Sequence, residues 1–144
     1  MIELRYMKRK EPKCKYKQVM LLDDNELDNF INEKVIEASQ FAEKVYITSS
    51  GKSALEFLNN LSTSGEVADS IYPEAIFVDI NMPMMDGFQF INNLKLSQGA
   101  KTKKCKLVIL TSSIYPEDRS RAMELSKDLV FLNKPLTSEM LSSI

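Results

Sequence analysis

Five short apolar runs rich in β-branched residues punctuate the chain, at residues 19–22, 45–48, 75–79, 107–111 and 129–132. Most are apolar at consecutive rather than alternate positions, as expected of parallel strands covered on both faces. The stretches between them follow the helical period. From about residue 25 to 41 the stripe is Leu27, Phe30, Ile31, Val35 and Ala38. From 52 to 61 it is Ala54, Leu55, Leu58 and Leu61, and from 87 to 96 it is Phe88, Ile91 and Leu94. Residues 116–127 offer only Ala122, Met123 and Leu125 for burial, but Pro116 followed by Glu117 and Asp118 makes a good helix start. A last short helix, 137–144, would bury Met140, Leu141 and Ile144. The polar connections 62–72 and 97–104 are expected to be surface loops. Strand–helix alternation of this kind predicts an α/β fold with a parallel sheet and right-handed crossovers.

In such a sheet, function gathers at the carboxyl ends of the strands, where strand order reverses. The first run ends in Asp23-Asp24, the third in Asp79, the fourth in Thr111-Ser112 and the fifth in Asn133-Lys134-Pro135. The second ends in Thr48-Ser49-Ser50 and carries no charge. A doubly wound (βα)5, flavodoxin-like sheet of order 2-1-3-4-5 would set the first and third strands side by side. That order gathers three carboxylates, a hydroxyl and an ammonium into one cleft. Carboxylates so close together raise one another's pKa unless a cation joins them, and a hard ion such as Mg²⁺ suits an all-oxygen site. Asp79 is the central candidate nucleophile: carboxylate attack on phosphorus gives an acyl phosphate, and catalysis there is largely positioning and electrostatics.

Composition narrows the chemistry. The chain has no histidine, which excludes Ser-His-Asp and Cys-His machinery, an imidazole metal cluster and a phosphohistidine carried by this chain itself. Cys14 and Cys105 are far apart in sequence, which argues against a disulfide framework or thiolate metal site, and neither has an imidazole to activate it. With 144 residues, 44% hydrophobic and 27% charged, one ordinary globular domain is expected. No apolar stretch is long enough to span a bilayer and none resembles a secretory signal, so the expected location is cytoplasmic, without membrane contact. Residues 1–17 hold seven basic and two acidic side chains, a local +5 against −6 for the remainder. They are read as a basic N-terminal extension to a domain over 18–144. No aromatic residues interleave them at a stacking interval, so no nucleic-acid partner is expected.

The ordered set Leu21-Leu22-Asp23-Asp24-Asn25, Val78-Asp79-Ile80-Asn81-Met82-Pro83-Met84-Met85-Asp86-Gly87, Leu110-Thr111-Ser112 and Asn133-Lys134-Pro135 resembles the receiver domain of two-component response regulators. The likeness runs from about Lys17 to Ile144. It implies a stand-alone signalling receiver in which Asp79 accepts a phosphoryl group from a phosphohistidine on a histidine kinase or histidine phosphotransfer protein. It further implies that Asp24 ligates Mg²⁺ directly, Asp23 does so through water, and the backbone carbonyl of Asn81 completes the protein's share. Thr111 would turn its hydroxyl to the phosphoryl group and Lys134 would pair with one of its oxygens. Lys134-Pro135 would commonly be cis, and Phe131 holds the aromatic switch position without a hydroxyl. A stand-alone receiver is expected to have no effector domain after it, so output would pass through contacts with a downstream protein or onward phosphoryl relay. Chemistry would be limited to self-phosphorylation and self-dephosphorylation.

Blander readings compete at several positions. Asp23 or Asp24 could also cap the first helix, and Asp86 reads as the cap of the third rather than as a ligand. Residues 49–53 suggest a P-loop, but Tyr46 stands where that motif needs glycine, so a helix start is the better reading. Met82, Met84 and Met85 are expected to pack beneath their loop, and Phe131 could equally be a core aromatic. A phosphoaspartyl enzyme would carry a second acid where Asn81 stands, together with a substrate cap. A module that has lost phosphorylation would not keep the full polar set, and a flavin phosphate would be repelled by the acids.

Overall fold

The computed structural model describes residues 14–63, 70–102 and 104–144. The elements are β1 Tyr16–Leu22, α1 Glu26–Ala38, β2 Ala42–Thr48, α2 Gly51–Ser62, β3 Ala75–Val78, α3 Gly87–Thr102, β4 Lys106–Thr111, α4 Pro116–Leu125, β5 Val130–Asn133 and α5 Ser138–Ser142. The five strands form one parallel sheet of order β2-β1-β3-β4-β5, the expected order. Residues 1–13 of the basic extension and residues 64–69 of the 62–72 connection lie outside the described residues. β1 itself opens at Tyr16.

Because successive strand side chains point to opposite faces, the apolar runs supply two cores. Met20, Leu22, Ile76, Val78 and Ile109 pack with Ala54 and Leu58 of α2, Phe88, Phe90, Ile91 and Leu94 of α3, and Ala122 of α4. Val19, Leu21, Phe77, Val108 and Leu110 pack on the other face with Ile36 of α1 and Leu141 of α5. β1, β3 and β4 are therefore buried on both sides. β2 and β5 form the edges, and the four residues of β5 stay half-buried.

Local chemistry sets the helix starts. Asn25 caps α1 by accepting from the Asp28 N–H at 3.0 Å, Ser50 caps α2 and Thr137 caps α5. Asp86 and Gln89 bond reciprocally, each backbone N–H to the other's side chain at 2.9 and 2.8 Å, so Asp86 caps α3 as expected. Segment 49–53 is a helix start.

Three expectations need correction. Most of the apolar stripe assigned to the first helix does not face the core: Leu27, Phe30 and Ile31 are 65%, 56% and 43% exposed and Ala38 is exposed too, while Val35 alone of the five packs, half-buried, against it. Asn29, Asn32 and Ile36 take the buried face instead. The end of β1 is itself polar there, and Asn29 Nδ2 donates to the Asp23 carbonyl at 2.8 Å, a bond that an apolar side chain could not make, although Asn29 Oδ1 is left buried without a partner. Second, residues 97–102 continue α3 across a kink at Gln98 rather than forming a loop. The buried Gln98 amide accepts from Tyr72 Oη and donates to Asn59 Oδ1, which anchors the bend. Third, Met123 on α4 and Met84 after β3 are exposed. Met84 sits at φ 69°, a left-handed conformation that aims it away from the loop, while Met82 is buried and Met85 half-buried as expected.

Candidate acidic phosphoryl site

Strand register brings the polar residues together. Leu22 lies opposite Val78 and Thr111 opposite Asn133, so the residues that follow leave the sheet at one edge. The Asp79 N–H donates to the Leu22 carbonyl at 3.0 Å and the Lys134 N–H to the Thr111 carbonyl at 2.9 Å, which extends the ladder by one residue on each side of the cleft. Lys134-Pro135 is cis. Asp23, Asp24 and Asp79 each offer a carboxylate oxygen, all within 4.8 Å of one another. Lys134 Nζ reaches Asp23 Oδ2 at 2.5 Å and Asp79 Oδ2 at 3.6 Å. The four charged groups expected to converge do so.

Thr111 is fully buried; its Oγ1 accepts from the Ser113 N–H at 3.2 Å, and its own hydroxyl proton is directed to Asp79. Ser113 in turn bonds through its hydroxyl to Asp118 in the first turn of α4, and Asn133 Nδ2 donates to the Ser113 carbonyl at 2.6 Å. Phe131 packs half-buried against the core beneath α3 and α4, with the Arg119 guanidinium 4.9 Å from its ring centre. Asn81 is exposed, its backbone N–H directed to Asp79.

Burial is the largest influence on Asp79 and raises its pKa above the ordinary carboxylate value. The Lys134 charge lowers it, Asp23 raises it again, and the Thr111 hydroxyl and Asn81 N–H lower it, leaving a net rise. Asp79 Oδ1 is buried without a hydrogen-bond partner. An under-satisfied carboxylate beside two more acids has the donor chemistry of a hard divalent cation, and these residues fit one. For Lys134, burial works against the charge, but bonds to Asp23 and Asp28 and the nearness of Asp79 outweigh it and raise the pKa. Cys105 is pushed up to about 12, by burial first and Glu74 second, so it is no nucleophile.

The rise at Asp79 has a consequence for stability. The folded chain holds this proton to higher pH than the unfolded chain does, so stability declines as pH climbs from about 3.8 through the folded value. The cost of the ionised carboxylate then persists at neutral pH. Asp79→Asn removes it, so in metal-free buffer at pH 7 the variant should unfold a few degrees higher than the parent by circular dichroism. The gap should narrow toward pH 4, and a variant no more stable than the parent at pH 7 would contradict the assignment.

Two residues of the pocket have no counterpart among the sequence expectations. Asp28, in the first turn of α1, holds Lys134 Nζ at 2.9 Å, and Asn29 lines a small cavity with Asp23, Asn32 and Asp79. The one available signal was the run Asp23-Asp24-Asn25 followed by Asp28-Asn29, polar at positions where a helix on a sheet would normally be apolar.

The response regulator receiver domain profile matches residues 19–144. Response regulator Rcp1 of Synechocystis sp. is 28% identical over 109 residues, covering 76% of this chain and 71% of Rcp1. The sensor histidine kinase CheAY of Helicobacter pylori is 31% identical over 126 residues, 88% of this chain but 14% of that protein. Among solved structures, a two-component response regulator from Cytophaga hutchinsonii superimposes with a TM-score of 0.79 at 31% identity, covering 92% of this chain and 94% of that one. The Mn²⁺-bound form of Rcp1 gives 0.67 at 25% identity, covering 89% and 91%.

Proposed function

This chain belongs to the response regulator receiver family and is a phosphoryl-accepting signalling switch of a two-component system; we propose that Asp79 is its phosphoacceptor. The observation that carries the reading is the convergence of Asp23, Asp24, Asp79 and Lys134 at the carboxyl edge of the sheet. An Asp79 oxygen attacks phosphorus in line, the donor's P–N bond breaks, and its imidazole leaves as the aspartyl phosphate forms. Lys134 neutralises one phosphoryl oxygen, and the Thr111 hydroxyl turns its proton from Asp79 to another. Asp24 would hold Mg²⁺ directly, Asp23 through water, and Asn81 through its backbone carbonyl. Such an ion would supply charge neutralisation at the transferring group. Incubation with acetyl phosphate and Mg²⁺ should add a single phosphoryl group by mass spectrometry, and a protein that gains none overturns the reading.

Movement of Thr111 toward the phosphoryl group would act on the Ser113–Asp118 contact, and hence on α4 and on Phe131 beside it. This supports α4 and β5 as the parts that report phosphorylation to a downstream protein.

The physiological donor is a histidine kinase or histidine phosphotransfer protein. Leu27, Phe30 and Ile31 are exposed on one helical stripe of α1, the helix that carries Asp28, and offer apolar surface that donor can cover. Phe30→Ser should therefore slow phosphotransfer from the cognate donor by about tenfold or more, the effect of losing an aromatic anchor. Its phosphorylation by acetyl phosphate should match the parent's. Equal slowing with both donors would mean that the substitution disturbs the pocket rather than docking. Among the described residues, no helix is long and apolar enough to cross a membrane.

A further inference from the structure

Lys134 is held by more than the acidic cluster. Its ammonium has three protons to donate. One reaches Asp23 Oδ2 at 2.5 Å and another Asp28 Oδ2 at 2.9 Å, while Asp79 is farther at 3.6 Å. Asp28 is not one of the three acids whose oxygens lie within 4.8 Å of each other. It stands on the first turn of α1, where Asn25 Oδ1 binds its backbone N–H at 3.0 Å and fixes the helix start beneath it. Its side chain is about one-third exposed, so a carboxylate there needs no partner for its own sake. The partner it takes is the cation that also sits on Asp23.

That arrangement matters for any divalent ion entering the cluster. An incoming ion must share Asp23 with the ammonium, and an ammonium with nowhere else to go would stay and repel it. We propose that Asp28 is a positioning residue, a second berth that holds the Lys134 ammonium beside the pocket while Asp23 and Asp79 turn to a divalent cation. The inference rests on reading the acidic cluster as a cation site. When a phosphoryl group arrives, Lys134 leaves the berth for a phosphoryl oxygen, a short move because Asp79 already lies 3.6 Å away. The device is electrostatic and local, and it asks nothing of the backbone.

The test is a double-mutant cycle read by Mg²⁺ binding calorimetry on the full chain. Asp28→Asn should weaken Mg²⁺ affinity on the order of three- to tenfold, the range of a partly exposed pair acting in a coupled cluster. In a Lys134→Met background the same substitution should change affinity by less than about twofold. Equal losses in both backgrounds would mean that Asp28 acts through its own charge, and no loss in either would mean that it does not act; each result overturns the proposal. A metal-free measurement separates this from the cation reading. The Lys134 ammonium resonance should shift and exchange its protons faster in Asp28→Asn, and in Asp28→Ser as a second variant suited to a first helical turn. An unchanged ammonium signal in both variants removes the berth whatever Mg²⁺ does. A parent protein that binds no Mg²⁺, with the ammonium response intact, removes the cation reading and leaves the Lys134–Asp28 tether standing.

Discussion

Asp79→Asn should lower phosphoryl incorporation from acetyl phosphate and Mg²⁺ by at least about a hundredfold, because the amide has no anionic oxygen to form the new bond. The geometry makes the prediction specific to this residue. Asp23 Oδ2 is engaged by Lys134 at 2.5 Å, and Asp24 is exposed at the rim, so neither neighbour is an equivalent nucleophile. Asp79 is buried at 7% exposure, carries an unpartnered Oδ1, and has Thr111 and Lys134 on its flanks. Asparagine is nearly isosteric with it, so the pocket should keep its shape and the variant should remain folded. The same variant is expected to be the more heat-resistant one without metal, so lost labelling cannot be ascribed to unfolding. Labelling of the variant at the parental level would transfer the phosphoacceptor role to another side chain.

The second large effect should come from Gly87→Ala. A Cβ built there would lie 2.4 Å from the Asp79 carbonyl oxygen and 3.0 Å from Ile80 Cα, both backbone atoms. The Gly87 N–H also donates to the Ile80 carbonyl at 2.9 Å, closing the loop that follows β3. Even a methyl group therefore has to push apart the segment that carries Asp79. The cost should be on the order of 1–3 kcal/mol, equivalent to roughly 2–4 °C in Tm per kcal/mol for a chain of this size. Phosphorylation should fall with it, since the displaced backbone is that of the nucleophile. Gly51→Ala is the matched comparison. Its Cβ would meet side-chain atoms of Met85 alone, Sδ at 2.7 Å, Cγ at 3.2 Å and Cβ at 3.3 Å, and a flexible thioether can give way where backbone cannot. That variant should lose less than about 1 kcal/mol. Urea unfolding of the pair decides the matter: a Gly87→Ala protein as stable as Gly51→Ala would show that the close approach does not constrain the loop.

Much of the framework is legible in the sequence. Consecutive apolar positions in β1, β3 and β4 marked strands buried on both sides, and the acids at strand ends named their shared edge. The helix starts were legible too, because Ser50, Asp86 and Pro116 act on neighbours within one turn. What misled was α1. Its apolar residues Leu27, Phe30 and Ile31 follow the helical period, but period alone does not say which stripe meets the sheet. The kink at Gln98 was equally invisible, since it depends on Asn59 and Tyr72, distant in sequence.

The sequence by itself determined the alternating architecture, the strand order and the set of groups at the carboxyl edge, for these follow from hydrophobic period and from polar residues placed at strand ends. Only the tertiary structure decided which face of α1 turns inward, and with it the place of Asp28 against Lys134. The physical reason is that burial of Asn29 and pairing of Asp28 are favourable only beside β1's polar end and the lysine after β5, 106 residues away along the chain. A local pattern carries no record of such a neighbour.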